Sequence, residues 1–182
     1  MRHPRRTIGI FTATTALLVG LAAGSIGISS SMAATKAAAP TWATYDAKTK
    51  TAHLTLISSY GSDTYNYNGG KAGHFTFTVP TGAKVVVTYS NNSTMMPHGA
   101  EVVAWTGTLP TALVPPPPAF AGAFSPNYRH GTRNGVTQTF SFTANKAGKY
   151  LLICPVHNHV KFGHWGWFVV SGTATTATGV LS

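Results

Sequence analysis

Side chains able to do chemistry are concentrated in one short segment, ICPVHNHVKFGHWGWF, at residues 153–168. It holds Cys154, the only cysteine of the chain, together with His157, His159 and His164. A lone cysteine is commonly an inert, buried core residue. Here, however, KYLLIC is typical of a strand that ends at the cysteine, and the histidines follow in the next loop. We therefore expect the thiol and the imidazoles to lie close together.

The donor types in this loop match those of a metal site. A soft thiolate with two imidazoles in a trigonal arrangement, plus a weak axial group, is the ligand set of a blue copper centre. The loop supplies Cys154, His159 and His164, so a further imidazole must come from another loop. The stretch TMMPHGAEVV, located upstream between two strand-like runs, contains His98. The sequence thus predicts a metal site formed by His98, Cys154, His159 and His164.

Composition argues against two other classes of function. The 182 residues include 13 Lys and Arg but only three carboxylates, Asp46, Asp63 and Glu101. No cluster of carboxylates is available for the paired acid–base chemistry of a glycosidase. The formal charge of +10 comes from basic residues scattered along the chain, without the basic and aromatic motif of an RNA-binding sheet. Nucleic acid is therefore not an expected partner.

The N-terminus has the features of an export signal. MRHPRR is followed by an apolar, uncharged stretch at residues 8–28, and SSSMAA offers a cleavage site after Ala33. An uncleaved membrane anchor is the alternative, because this stretch is about as long as the ~20 residues that span a bilayer. We expect residues 1–33 to be this signal or anchor, residues 34–44 a linker, and residues 45–182 one folded domain.

The remaining chain is punctuated as an all-β protein. Seven runs rich in β-branched and aromatic residues are separated by Gly, Pro and Asn. They lie at residues 51–58, 74–80, 83–90, 99–105, 136–144, 148–154 and 165–172. This spacing predicts a Greek-key β-sandwich. The dipeptide Thr81-Gly82 between the second and third runs predicts a tight hairpin. Because Trp165 and Trp167 alternate along the last run, we expect one in the core and one beside the metal loop.

One long stretch interrupts the strands. Residues 107–134 are rich in proline and glycine, which disfavours a central strand. Their length and their aromatic residues indicate a long ordered excursion that packs over one edge or end of the sandwich, although a simple crossover loop is the alternative.

These residues resemble the cupredoxins, and among them the sulfocyanin and rusticyanin type. The ligand loop of that family is similar to Cys-x4-His-x4-Met, and here it is C-PVHN-H-VKFG-H-W. YNYNGG at residues 65–70, the Pro97-His98 pair and PPPPAFAGAFSP also resemble sulfocyanin features. The resemblance covers residues 64–171 and implies a Greek-key sandwich that binds one type 1 copper ion.

The chain departs from the family pattern at two positions. His164 stands where the family has its axial Met, so it either coordinates copper as a stronger donor or turns away and leaves copper nearly three-coordinate. Gly99 stands where relatives often have Asn or Ser, whose side chain ties the two ligand loops together. A Cys-x2-His register would instead make His157 the ligand, but it places Phe162, which cannot ligate, in the axial position. We therefore take His159 as the ligand.

The resemblance implies electron carriage outside the cytoplasmic membrane, in the periplasm, the cell envelope or the extracellular space. We expect a monomer that exchanges electrons with redox proteins such as cytochromes or a terminal oxidase. The residues expected to surround the ligands or to form a small apolar docking patch are Pro155, Val156, His157, Phe162 and Trp165. Two rival functions remain: a mononuclear copper enzyme that binds nitric oxide or superoxide, and a copper storage or chaperone protein.

Overall fold

Strands dominate the computed structural model, which describes residues 41–110 and 114–182. The nine strands of these residues are β1 Ala43–Asp46, β2 Thr51–Ser58, β3 Phe75–Pro80, β4 Ala83–Asn91, β5 Glu101–Ala104, β6 Thr137–Ala144, β7 Gly148–Ile153, β8 Trp165–Ser171 and β9 Thr178–Leu181. The predicted export signal and most of the predicted linker lie outside the described residues. Within the described part, no helix is long and apolar enough to cross a membrane.

The strands form two sheets that pack face to face. One sheet has the order β1-β2-β4-β6 and the other the order β5-β7-β8-β3-β9. Buried positions alternate with exposed or half-buried ones along β4 and with half-buried ones along β8, as expected when one face of each sheet lies on a shared core. The core between them includes Phe77, Val87, Phe142 and Phe168. The predicted all-β sandwich is confirmed.

The predicted hairpin at Thr81-Gly82 is wrong. β3 pairs with β8 and β9, whereas β4 pairs with β2 and β6, so this turn carries the chain from one sheet to the other. At position 82 the backbone has a φ of 83°, a conformation that glycine adopts readily. The turn therefore has a glycine even though it does not close a hairpin. Turn residues predict only that the chain changes direction. Each of the two strands buries one face, and this alternating pattern is the same whether the strands pair in one sheet or face each other across the core.

Two strands were not expected from the sequence. β1 begins at Ala43, within the stretch assigned to the linker, and β9 follows the strand that was expected to be the last. Both have only four residues, and all of their positions are exposed or half-buried. Short edge strands of this kind lack the apolar alternation on which strand prediction depends.

The excursion covers the free edge of β5, as predicted. Backbone N–H groups donate from Ala119 to the carbonyl of Val102 at 2.8 Å, and from Val102 to the carbonyl of Ala123 at 2.9 Å. Phe120, on the same segment, is buried in the core. Further on, Thr132 and His98 exchange backbone hydrogen bonds of 2.6 and 3.1 Å. The excursion therefore fixes the backbone of a predicted ligand.

The two tryptophans of β8 occupy the same face of the sheet, which corrects our expectation for them. Trp165 and Trp167 are half-buried, and their ring centroids are 5.3 Å apart. They pack against a second, outer apolar cluster that contains Val103, Leu151 and Val160. Residues two apart in a strand share a face, so neither ring enters the main core, whereas the contact of the outer cluster with Val160 keeps a tryptophan beside the metal loop as expected.

Candidate metal centre

Three neighbouring strand ends bring the predicted ligands together. Cys154 directly follows β7, His164 directly precedes β8, His159 lies in the loop between them, and His98 precedes β5. The antiparallel ladders β5·β7 and β7·β8 place these ends side by side, because Ile153 is paired with both Glu101 and Trp165. One donor atom from each of the four residues lies within 4.8 Å of all the others.

Three of the donors are closer still. The Nδ1 atoms of His98 and His159 are 3.0 Å apart, and Sγ of Cys154 lies 3.3 Å from Nδ1 of His159 and 3.8 Å from Nδ1 of His98. A metal ion bound roughly 2.0–2.3 Å from nitrogen and sulfur donors spans such separations. Cys154 and His98 are 0% exposed and His159 is 5% exposed. This buried thiol with two imidazoles fits copper.

Burial keeps all the donors uncharged when no cation is bound. It lowers the pKa of His98 to about 3 and that of His159 to about 4, and the neighbouring histidines add to both effects. It raises the pKa of the Cys154 thiol to about 12, although backbone N–H groups of Gly99 and Val156 oppose the shift. The imidazole lone pairs are thus free in mild acid, whereas the thiol must lose a proton to bind a metal ion.

Backbone groups tie the two ligand loops together. The N–H of Gly99 donates to Sγ of Cys154 at 3.3 Å, and the hydroxyl of Tyr67 donates to the carbonyl of Gly99 at 2.6 Å. A Cβ at Gly99 would collide with the carbonyl of Tyr128. The missing Asn or Ser side chain therefore does not leave the loops unconnected, because the main chain takes over that role.

His164 lies inside the cluster and is 0% exposed. Its Nε2 is 3.2 Å from Oγ of Ser58, whose hydroxyl is in turn 2.9 Å from that of Tyr89. Among the described residues, its Nδ1 is buried without a hydrogen-bond partner. Its ring centroid is 4.5 Å from that of His98. A buried nitrogen without a partner beside a thiol and two imidazoles is the kind of group that a metal ion would satisfy.

Tyr65, in the loop between β2 and β3, covers one side of the cluster. Its ring centroid lies 5.2 Å from that of His159, 6.1 Å from that of His98 and 5.0 Å from that of Phe162. Its hydroxyl donates to Sδ of Met96 at 3.2 Å. Its role is not evident from the sequence. It belongs to the YNYNGG motif, but nothing in the local sequence indicates its contact with histidines so far along the chain.

The residues predicted to surround the ligands lie at different depths. Phe162 is 52% exposed, His157 is exposed and Val156 is half-buried. Pro155 is buried, so it does not contribute to the apolar surface patch that was expected to include it. Trp165 lies on the outer face of the sheet.

Comparison with known proteins identifies the family. The family described as "Sulfocyanin (SoxE) domain" matches residues 38–181. Sulfocyanin of Sulfolobus acidocaldarius is 27% identical over 146 residues, which cover 75% of this chain and 72% of that protein. Among solved structures, rusticyanin from Thiobacillus ferrooxidans is 24% identical, covering 67% of this chain and 78% of that one, with a TM-score of 0.48. Auracyanin from Roseiflexus castenholzii is 23% identical, covering 65% and 96% respectively, with a TM-score of 0.48.

The sandwich, the buried thiol with its imidazoles and the family match together define a cupredoxin, a protein that binds one copper ion. More narrowly, the chain belongs to the sulfocyanin family.

Proposed function

We propose that this protein is an exported type 1 copper electron carrier, with His98, Cys154, His159 and His164 as its ligands. The observation that carries the proposal is the set of three buried donors, one thiol and two imidazoles, whose atoms lie 3.0 to 3.8 Å apart. Copper bound by these donors supplies one-electron chemistry through its Cu(I) and Cu(II) states.

The fold holds the donors in place before any metal binds. The backbone N–H of Cys154 donates to the carbonyl of His164 at 3.1 Å, and the N–H of His164 donates to the carbonyl of His159 at 3.0 Å. These two bonds join Cys154, His164 and His159 through the main chain. The amide of Gly99, which donates to the sulfur, links them to the loop that carries His98. A rigid donor set needs little rearrangement when the metal charge changes, which favours rapid electron exchange.

The surface near His159 suits brief encounters with another redox protein. His159 itself is only 5% exposed, and the aromatic rings of Tyr65 and Phe162 lie beside it. Phe162 is 52% exposed, and Met95, three residues before His98, is 82% exposed. Small apolar surfaces of this kind support transient contacts rather than tight complexes. Cytochromes or a terminal oxidase are the proposed partners, reached after export directed by residues 1–33.

Voltammetry of the copper-loaded protein tests this function. An electron carrier gives one reversible one-electron wave, and the copper stays bound through repeated cycles. Loss of copper on reduction would instead indicate storage or delivery of the metal. A catalytic current on addition of nitric oxide or superoxide would indicate an enzyme. The control is Cys154→Ser, which has no thiolate donor and should lose the wave.

A further inference from the structure

We infer that Met95 and Met96 form a second copper site at the surface, which captures Cu(I) and passes it to the buried ligands. This role goes beyond electron carriage, because it concerns how the copper centre receives its metal. Thioether sulfur is a soft donor that favours Cu(I). Two of the four methionines, Met1 and Met32, lie in the predicted export signal, so Met95 and Met96 are the only methionines of residues 34–182.

The two methionines lie on a turn that buried side chains hold in place. Oγ of Ser93 accepts hydrogen bonds from the amides of Met95 at 3.3 Å and Met96 at 3.2 Å. Oδ1 of Asn91 accepts from the amide of Ser93 at 2.9 Å, and its Nδ2 donates to the carbonyl of Met96 at 3.0 Å. Asn91 is 0% exposed and Ser93 is 6% exposed. The backbone that carries the thioethers is therefore anchored to the protein interior.

Both methionines line one surface hollow, which is formed by residues 93–97 together with Arg133 and Asn134. Met95 is 82% exposed and Met96 is half-buried, although burial of an apolar side chain is favourable. Neither of the two apolar clusters in the described part of the chain includes a methionine. Sulfur is thus placed where solvent reaches it and not where it would fill the core, which favours a role for the sulfur atoms themselves.

Tyr65 connects the hollow with the buried ligands. Its hydroxyl donates to Sδ of Met96 at 3.2 Å, and its ring centroid lies 5.2 Å from that of His159 and 6.1 Å from that of His98. Met96 is also only two residues before His98 in the chain. One aromatic ring therefore separates the thioether from two imidazole ligands, and a Cu(I) ion that leaves Met96 has to pass only this ring.

Arg133 makes the hollow a weak site, as a transfer site must be. Its side chain is exposed and lines the same hollow, so its positive charge opposes a bound cation. The buried centre instead offers a thiolate with two imidazoles, which is a stronger donor set for copper than two thioethers. Cu(I) captured at the hollow consequently gains free energy when it moves on to the centre.

Methyl NMR of the methionines tests the site directly. The protein is labelled with ¹³C-methyl methionine, its centre is filled with one equivalent of Cu(I), and a second equivalent is added without oxygen. We expect the signals of Met95 and Met96 to shift together, and Met95→Leu, which keeps the size but removes the sulfur, to abolish the shift of Met96. Val136→Leu is the matched control, because it changes another exposed apolar side chain and should leave both shifts intact. Signals that do not move in the wild type, or a Met96 shift that persists in Met95→Leu, overturn the inference.

The rate of Cu(I) uptake then tests the transfer. Loss of a group that merely orients a ligand weakens metal binding about 10–100-fold, so loss of both thioethers in Met95→Leu/Met96→Leu should slow uptake from a Cu(I)–bathocuproine donor at least about tenfold. Uptake of Co(II), a harder ion, should be unchanged, and the visible band after oxidation should match the wild type. Equal rates of Cu(I) uptake would overturn the inference. A wild type that gives the methionine shifts but no reversible voltammetric wave would overturn the proposed electron carriage and leave the capture site standing.

Discussion

Copper binding should release only one proton per ion, even in mild acid. Burial lowers the pKa of His98 to about 3 and that of His159 to about 4, so both imidazoles are already unprotonated at about pH 5. The thiol of Cys154, whose pKa is raised to about 12, is still protonated there. The proton displaced by copper is therefore the thiol proton alone.

The size of the effect follows from linkage between metal and proton binding. Because binding releases protons, affinity rises with pH, by about tenfold per pH unit for one proton. Lowering the pH from about 7 to about 5 should thus weaken binding roughly 100-fold. If both histidines kept the ordinary pKa of 6.5, their protonation would compete as well. The loss would then be roughly 100,000-fold.

A pH-stat titration measures this proton count. Cu(II) is added to the metal-free protein at about pH 5, and the base needed to hold the pH is compared with the copper bound. The expected ratio is one proton per copper, and the same ratio at about pH 7 serves as the internal control. A ratio near three at the lower pH would show that His98 and His159 are protonated in the metal-free protein, and thus that burial does not lower their pKa values to about 3 and 4.

Three further predictions concern the surroundings of the site. Tyr65→Ala should let added azide reach Cu(II) and change its visible spectrum, whereas Tyr65→Phe, which keeps the ring, should not. Glu101 is 0% exposed with both oxygens unpaired among the described residues, and burial raises its pKa from 4.5 to about 7 although Arg129 opposes the shift. The folded state therefore binds the Glu101 proton more tightly than the unfolded state does. The resulting gain in folding free energy, about 3 kcal/mol, is fully present below about pH 4.5 and is lost as the pH rises through about 7. Urea unfolding should show that Glu101→Gln gains about this much relative to the wild type across that interval. Gly99→Ala should destabilise the protein by about 1–3 kcal/mol, because its Cβ meets a backbone carbonyl.

Each of these predictions has a clear contrary outcome. Azide binding equal in the wild type and in the alanine variant would show that Tyr65 does not shield the metal. Parallel stability curves for the wild type and Glu101→Gln would show that this carboxyl is not desolvated. Gly172→Ala is the matched control for Gly99→Ala, because a Cβ at position 172 meets no atom within 4 Å. Equal stabilities of these two variants would contradict the predicted collision.

The sequence indicated the parts of the site that are set by local spacing. Cys154, His159 and His164 share one loop between two well-patterned strands, so their proximity follows from the chain itself. His98 could be predicted because it also stands between strand-like runs. Ser58, Tyr65 and the amide of Gly99 could not, since their contacts with the ligands join segments far apart in sequence.

The fold was predictable to a similar extent. Alternation within a run specifies which face is buried, but not which strand lies beside it. For this reason the strands were found, whereas the partners of β3 and β4 and the common face of Trp165 and Trp167 were misjudged. The short edge strands β1 and β9 gave too little pattern to detect.

Visible absorption and EPR spectra of the protein loaded with Cu(II), recorded beside Cys154→Ser, show whether the thiolate binds copper. We expect an intense thiolate-to-copper band and narrow copper hyperfine splitting in the wild type, with both lost in the serine variant. A wild-type protein that binds Cu(II) without an intense visible band, or a band that persists in Cys154→Ser, would contradict this expectation.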